Sequence, residues 1–136
     1  IFDLDGTLLD TLTCLAIAFN RALIEMKCPG HEVAAYKYFI GDGAEVAARR
    51  SLPSARLDEG SVAECVERFQ NNYRTTWHEN TAPYPGILDL LAQLQGVAPL
   101  AVLSNKDEEF TQRCVGHFFP SNTFEIAVGH SSSVKH

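Results

Sequence analysis

The residues of this chain whose types and spacing are most typical of a reactive site are two aspartates at a predicted strand end. Asp3 and Asp5 follow the apolar residues Ile1 and Phe2, and the adjacent Gly6 permits a turn. In open α/β sheets, ligands bind beyond the carboxyl ends of the strands, so this turn lies where a site is expected. Two neighbouring carboxylates repel, and one of them holds its proton more tightly than the other. The pair could therefore supply a nucleophile or metal ligand beside an acid and base.

The same segment also fits an ordinary turn rich in Asp and Gly, which is common at strand ends. A calcium-binding loop does not fit. Counted from Asp3, the position that requires Gly holds Leu8, and the position of the closing Glu holds Cys14. The residues alone leave a choice between a reactive carboxylate pair and a structural turn.

A second polar group follows another predicted strand. The apolar run 100–103 is followed by Ser104, Asn105 and Lys106. Ser and Asn supply short hydrogen-bond donors, and the start of the next helix offers free backbone N–H groups, which together predict a cradle for a phosphate oxyanion. The alternative is a helix cap, in which Ser104 or Asn105 satisfies the first turn of that helix.

The elements that must position these residues are those of an α/β domain. Short, continuous apolar runs predict strands at 100–103 and 124–128, and helical spacing predicts a helix at 107–119 between them. Strand, helix and strand in this order form a parallel βαβ unit. A further helix is predicted at 87–95, after the turn Tyr84-Pro85-Gly86. The predicted fold is therefore α/β, with a Rossmann-like parallel sheet.

The segment between the first strand and this unit is predicted to be helical throughout. Apolar residues recur at helical spacing in two long and two short stretches, at residues 12–26, 62–77, 32–39 and 44–52. We therefore predict an all-helical cap at residues 15–81. It would be inserted into an incomplete Rossmann-like core formed by residues 1–14 and 82–136.

Charge and composition argue against several classes of protein. With 11 basic and 17 acidic residues, the formal net charge is −6, so the chain lacks the positive surface expected of a nucleic-acid-binding protein. No apolar run approaches the roughly 18 residues of a membrane-spanning helix. The four cysteines form no CxxC pair, which favours reduced, mostly buried thiols in a cytoplasmic protein. Both ends look cut, since the chain begins within a strand pattern and stops in a loop pattern.

Four features together resemble the haloacid dehalogenase superfamily. They are the strand end Asp3-x-Asp5-Gly6-Thr7, the helical insert, the turn Tyr84-Pro85-Gly86 and the segment Leu103-Ser104-Asn105-Lys106. Within that superfamily, the chain is similar to the phosphoglycolate-phosphatase-like branch, whose helical cap follows the first strand. The resemblance implies an Mg²⁺-dependent phosphatase. Such an enzyme acts on a small phosphorylated metabolite, for example phosphoglycolate, through an aspartyl-phosphate intermediate.

The resemblance also implies a role for each matching residue. Asp3 would be the nucleophile, and Asp5 would protonate the leaving group and then activate water. Thr7, Ser104 and Asn105 would contact the phosphoryl group. The Asp3 carboxylate and the Asp5 backbone carbonyl would hold Mg²⁺ together with an acidic residue further along.

Two motifs of the resembling family lack a clear counterpart. The family's Lys, often followed by Pro, is matched only by Lys135, which His136 follows, so we expect the true Lys beyond the last residue. The acidic pair that completes the metal site has no counterpart after Ser104. We therefore expect this chain alone to bind Mg²⁺ weakly and to turn over poorly.

A glycine-rich turn in the predicted cap resembles the loop that such caps extend toward the phosphate. It consists of Gly41, Asp42 and Gly43, and Arg49 and Arg50 near it could meet a substrate carboxylate. The alternative is a turn between helices with two solvated arginines.

Other functions are also compatible with these residues. They include a sugar phosphomutase, a nucleotidase or a pyrophosphatase of the same fold, and a non-catalytic binding module. Asp5 argues against a dehalogenase, whose motif lacks an acid there, and Thr7 argues mildly against a mutase, where Val is common. Asp3 and Asp5 together argue against a binding module, because such a module has no physical reason to retain two repelling carboxylates.

Overall fold

The computed structural model describes residues 1–131 of the chain. Its elements are, in chain order, β1 (Leu9–Asp10), α1 (Leu12–Glu25), α2 (Ala44–Ser51), α3 (Glu59–Thr76), β2 (Ala82–Pro83), α4 (Ile87–Leu94), β3 (Ala101–Asp107), α5 (Glu108–Phe118) and β4 (Ile126–His130). Short 3₁₀ turns lie at Val33–Tyr38 and Ser54–Arg56. These elements form two compact units. The first joins Ile1–Thr11 to the described residues from Thr81 onward, and the second is Leu12–Asn80.

In the first unit, β3 is the central segment of a parallel arrangement. Residues 101–103 of β3 pair with residues 126–128 of β4. On the other side, Phe2 donates its N–H to the Ala101 carbonyl (N···O 2.8 Å) and accepts from the Leu103 N–H (2.9 Å). With α5 between β3 and β4, the predicted βαβ unit is confirmed. The carboxyl ends of the three segments therefore lie at one edge of the sheet.

Two strand boundaries differ from the prediction. β3 continues past Leu103 because Asp107 pairs with His130 after an irregularity in the register. β4 begins two residues later than predicted, at Ile126, and the Phe124 ring packs against Phe2 and Phe119 at centroid distances of 6.5 and 5.4 Å. A third pairing was not predicted at all, since β1 and β2 have two residues each and show no apolar pattern.

The sheet is covered unevenly within residues 1–131. Val102 is buried and α5 packs against β3 and β4. On the other face, Leu103 and Ile126 are 58% and 57% exposed. The continuous apolar pattern predicted burial of both faces, and in this part of the chain only one face is buried.

The second unit is helical, as predicted, and residues 12–80 contain no strand. Its core lies between α1 and α3, where the Phe19 and Phe69 rings stack at a centroid distance of 3.9 Å. Asp58 begins α3 as its N-cap, accepting from the Ser61 N–H at 2.9 Å. The segment predicted as helical near 32–39 is a 3₁₀ turn rather than an α-helix.

The cysteines and the helices also bear on expectations from composition. The four cysteines are free and buried, in agreement with the prediction of reduced thiols. Among the helices described, none combines the length and the apolar character that a membrane crossing requires.

Candidate active site

The segment that carries Asp3 and Asp5 is a compact turn built around Leu4. Leu4 is fully buried, and its carbonyl accepts hydrogen bonds from the backbone N–H groups of residues 7–9 at 3.0 to 3.3 Å. Gly6 has a φ of +77°, a conformation that L side chains rarely adopt, so the predicted need for glycine is confirmed. The result is an exposed Asp3 carboxylate, which also accepts from the Leu4 N–H at 2.8 Å, and a half-buried Asp5.

Asp5 forms an ion pair with a lysine that had no role assigned from the sequence. Lys106 Nζ lies 3.0 Å from Asp5 Oδ1 and 3.1 Å from Oδ2. The two side chains are only 5% and 16% exposed. A signal for this residue existed in the sequence, because alternate residues of a strand share a face and Lys106 comes two positions after Ser104.

Ser104 is oriented by this lysine rather than by a helix. Its hydroxyl oxygen accepts the Lys106 backbone N–H at 3.1 Å, and Ser104 is buried. Helix α5 begins only at Glu108 and its N-cap is Asp107, so the alternative of a helix cap at Ser104 or Asn105 is wrong. Burial alternates along β3, and Asn105 is exposed.

The start of α5 holds the end of β4 against the same strand. Thr111 Oγ1 donates to the Lys106 carbonyl at 3.1 Å. The Glu108 carboxylate accepts the Gly129 N–H and the Gln112 side-chain amide, and these bonds lower the pKa of Glu108. Lys106 is thus anchored through its own backbone, and the end of β4 is fixed beside it.

The structure brings together one part of the predicted site. The Asp3–Thr7 turn and the Ser104–Lys106 segment meet at the carboxyl edge of the sheet, joined by the contact between Lys106 and Asp5. Thr7 is exposed in the turn. Lys135 lies outside the described residues.

The turn at residues 41–43 belongs to the second unit. Gly41 and Gly43 have φ values of +119° and +93°, which only glycine adopts without strain. Arg50 donates to the backbone carbonyls of residues 38 and 39 at 3.5 and 3.3 Å, so it braces the turn from its own unit.

Both arginines near this turn form ion pairs within the protein. Arg50 lies 2.8 Å from Asp42, and Arg49 lies 3.0 Å from Glu45 and 2.8 Å from Glu59. Hydrogen bonds from Glu59 and Glu45 raise the pKa of Arg49. The idea that these guanidinium groups meet a substrate carboxylate gains no support from this arrangement.

The oxygen donors of the Asp turn fit a part of an Mg²⁺ site. Mg²⁺ is commonly bound by one or two carboxylates with water and substrate phosphate, and the exposed Asp3 carboxylate and the Asp5 carbonyl are hard oxygen ligands of that kind. Within residues 1–131, no group of three acidic, His or Cys side chains is arranged to hold a metal.

Comparison with known proteins identifies the family to which the chain is similar. The family described as haloacid dehalogenase-like hydrolase matches residues 1–136. Phosphoglycolate phosphatase of Pseudomonas putida KT2440 is 37% identical over 130 residues, covering 88% of this chain and 47% of that protein. The chain spans about half the length of the curated relatives it matches.

Solved structures show the same fold. A crystal structure of a candidate phosphoglycolate phosphatase from Lactobacillus delbrueckii subsp. bulgaricus shares 32% identity with a TM-score of 0.88, covering 99% of this chain and 65% of that one. A predicted phosphoglycolate phosphatase from Haemophilus somnus 129pt shares 28% identity with a TM-score of 0.85, covering 94% and 60%. From the family match over its whole length, together with the Asp turn at the edge of a parallel sheet, this chain belongs to the haloacid dehalogenase-like hydrolase family.

Proposed function

We propose that this chain carries the reacting carboxylates of an Mg²⁺-dependent phosphomonoester hydrolase. The substrate is a small phosphorylated metabolite such as phosphoglycolate, and the reaction passes through an aspartyl-phosphate. One observation carries the proposal: the contact of 3.0 Å between Lys106 Nζ and Asp5 holds the Asp turn against the Ser104 segment. Relatives named as phosphoglycolate phosphatases support this choice of substrate class.

The first half of the proposed reaction transfers the phosphoryl group to the protein. A carboxylate oxygen of Asp3 attacks phosphorus and the bond from phosphorus to the ester oxygen breaks. The departing oxygen takes a proton from the carboxylic acid of Asp5 and leaves as an alcohol. Asp3 is exposed in the turn and is therefore accessible to a phosphate ester.

The second half releases phosphate and restores both aspartates. A water molecule gives one proton to the Asp5 carboxylate while its oxygen attacks phosphorus. The bond between phosphorus and Asp3 breaks, inorganic phosphate leaves, and Asp5 is again a carboxylic acid.

Polar groups at the sheet edge would bind the phosphoryl oxygens. Ser104 already accepts the Lys106 N–H, so its hydroxyl proton remains available for donation to a phosphoryl oxygen. We assign the same role to Thr7 and Asn105, which are exposed, and to Lys135.

The Asp3 carboxylate and Asp5 carbonyl would hold Mg²⁺, which when bound offsets the charge that repels an anionic ester from an anionic nucleophile.

We further propose that the helical segment at residues 15–81 is a cap that selects the substrate. The remainder, residues 1–14 and 82–136, would be the hydrolase core. The turn Gly41-Asp42-Gly43 would contact the leaving group. Its two glycines have backbone angles that other residues adopt only with strain, and its brace to Arg50 keeps this shape.

The experiment that tests this function is metal-dependent phosphate release by the full-length protein. The panel includes phosphoglycolate, sugar phosphates, nucleotides and pyrophosphate, each with and without Mg²⁺. Asp3→Asn should reduce turnover to background, because an amide does not form the acyl phosphate. Asp89→Asn is the matched control, since Asp89 is an exposed carboxylate on α4. It should leave turnover unchanged.

The other functions of this fold appear as distinct outcomes of the same experiment. Preference for nucleotides or pyrophosphate would replace the proposed substrate class. Formation of an isomeric sugar phosphate without net phosphate release would indicate a mutase. A folded full-length protein that hydrolyses none of these compounds would refute the hydrolase proposal and favour a binding module.

A further inference from the structure

We propose that Lys106 is a positioning residue for Asp5, whose carboxyl group its ammonium group orients for proton transfer. The inference rests on the proposed hydrolase function and deepens it. It assigns a role to a residue at the sheet edge that acts through Asp5 rather than on the substrate.

The contact has the geometry of an orienting interaction. The ammonium nitrogen is nearly equidistant from the two Asp5 oxygens, at 3.0 and 3.1 Å, so it restrains rotation of the carboxyl plane as well as its distance. With the two side chains 5% and 16% exposed, water competes little for either group. A lysine is rarely this buried unless it is paired.

The lysine is itself held by its backbone on two sides. Its N–H donates to Ser104 Oγ at 3.1 Å, and its carbonyl accepts from Thr111 Oγ1 at 3.1 Å. Thr111 is fully buried. The starting point of the long side chain is therefore fixed to β3 and α5, so the ammonium group reaches Asp5 from a defined origin.

Lys106 thus contacts two parts of the proposed site at once. The backbone of Lys106 orients the Ser104 hydroxyl, and its side chain orients the Asp5 carboxyl group. A protonated Asp5 retains one oxygen that accepts from the ammonium group, and its O–H can then face the leaving oxygen. The same contact can therefore orient Asp5 in both halves of the reaction.

The test uses leaving groups of different quality in the full-length protein. Lys106→Met keeps an apolar stem and removes the charge, Lys106→Arg keeps the charge, and Lys37→Met, at an exposed lysine of the second unit, is the matched control. Each variant is assayed on an alkyl phosphate, which needs a proton on the departing oxygen. It is also assayed on p-nitrophenyl phosphate, whose leaving group departs without one. Thermal unfolding checks that each variant is folded.

A positioning role predicts a selective defect. General acid catalysis contributes about 10²–10⁴-fold to rates. We therefore expect Lys106→Met to reduce kcat/KM, which reports only the transfer of the phosphoryl group to Asp3, at least about tenfold more on the alkyl phosphate than on the aryl phosphate. Lys106→Arg should restore part of the loss. In an Asp5→Asn background, adding Lys106→Met should cause no further loss on the aryl phosphate, because the residue acts through Asp5.

Several results would overturn the proposal. They are equal losses of kcat/KM on the two esters, no loss at all, or a full additional loss in the Asp5→Asn background. If Lys106→Met does not fold, the ratio of the losses on the alkyl and aryl phosphates is measured for Lys106→Gln and Lys106→Arg instead. A wild-type protein that hydrolyses neither ester refutes the hydrolase function together with this role. An active wild type with an unchanged ratio in the variants refutes the role of Lys106 alone.

Discussion

Gly129 lies where β4 passes the start of α5, and the structure leaves no room there for a methyl group. A Cβ at this position would be 2.5 Å from Thr111 Oγ1, 2.6 Å from the Lys106 carbonyl oxygen and 2.7 Å from Glu108 Cα. Gly129 is not among the glycines with a positive φ, so the cost of Gly129→Ala is steric. Two of the three atoms belong to the main chain and cannot rotate away.

The expected magnitude follows from these contacts. Adding a methyl group to a well-packed site typically costs about 1–3 kcal/mol. All three contacts are below 3.0 Å and two are with backbone, so we expect the upper end, about 3 kcal/mol. For a protein of this size, that corresponds to a decrease in Tm of roughly 10 °C.

A second glycine in the same unit provides a control substitution that should raise the stability rather than lower it. Gly116 lies in α5, is exposed, and has no atom within 4 Å of a built Cβ. Alanine is favoured over glycine inside a helix by about 1 kcal/mol, so Gly116→Ala should raise the stability slightly.

Urea denaturation and thermal unfolding of the two variants measure the difference directly. The reasoning predicts free energies of unfolding that differ by about 4 kcal/mol between Gly129→Ala and Gly116→Ala, from the overpacking and helix-propensity values combined. A Gly129→Ala variant as stable as the wild type would refute the close packing of β4 on α5. Destabilisation by Gly116→Ala of similar size would show that the effect is not specific to the contact.

Three further predictions concern the second unit. Asn20→Ala should cost at least about 2 kcal/mol in urea denaturation, because Asn20 Oδ1 accepts from both the buried Tyr36 hydroxyl (2.7 Å) and the His31 N–H (2.8 Å); Tyr36→Phe in that background should cost little more. Phe69→Ala should cost about 3–5 kcal/mol in the same assay, and a loss below about 1 kcal/mol would contradict the stacked core. Hydrogen bonds from the Ser61 amide and hydroxyl lower the pKa of Asp58 below its usual value of 3.8. The contribution of the Asp58 carboxylate to the free energy of unfolding is therefore complete above pH 3.8, and it is lost as the pH falls through the lowered pKa. The Tm difference between wild type and Asp58→Ala should therefore shrink in acid.

The elements predicted well are those whose pattern is local and repeated. The helices α1 and α3 follow from apolar stripes many residues long, and the turn at Gly6 follows from a glycine between polar neighbours. The polar motifs at Asp3 and Ser104 could be placed at strand ends because apolar runs precede them. The same motifs carried the resemblance to the family that the comparisons then showed.

The elements predicted poorly depend on partners distant in the chain. β3 continues to Asp107 because His130 pairs with it, and Phe124, which was predicted to begin β4, lies before that strand and packs on Phe2. Neither partner can be recognised from the local pattern, since sheet pairing joins residues that are far apart in sequence.

The amino-acid sequence by itself determined the family, the α/β class, the helical insert and the residue types available for phosphate chemistry. Local periodicity and short motifs are sufficient for these conclusions. Only the tertiary structure decided that Lys106 lies against Asp5, 101 residues away, and that Ser104 accepts from Lys106 rather than capping a helix. Such contacts depend on how strands pair and which side chains become buried together, and their distances in space are not encoded in spacing along the chain.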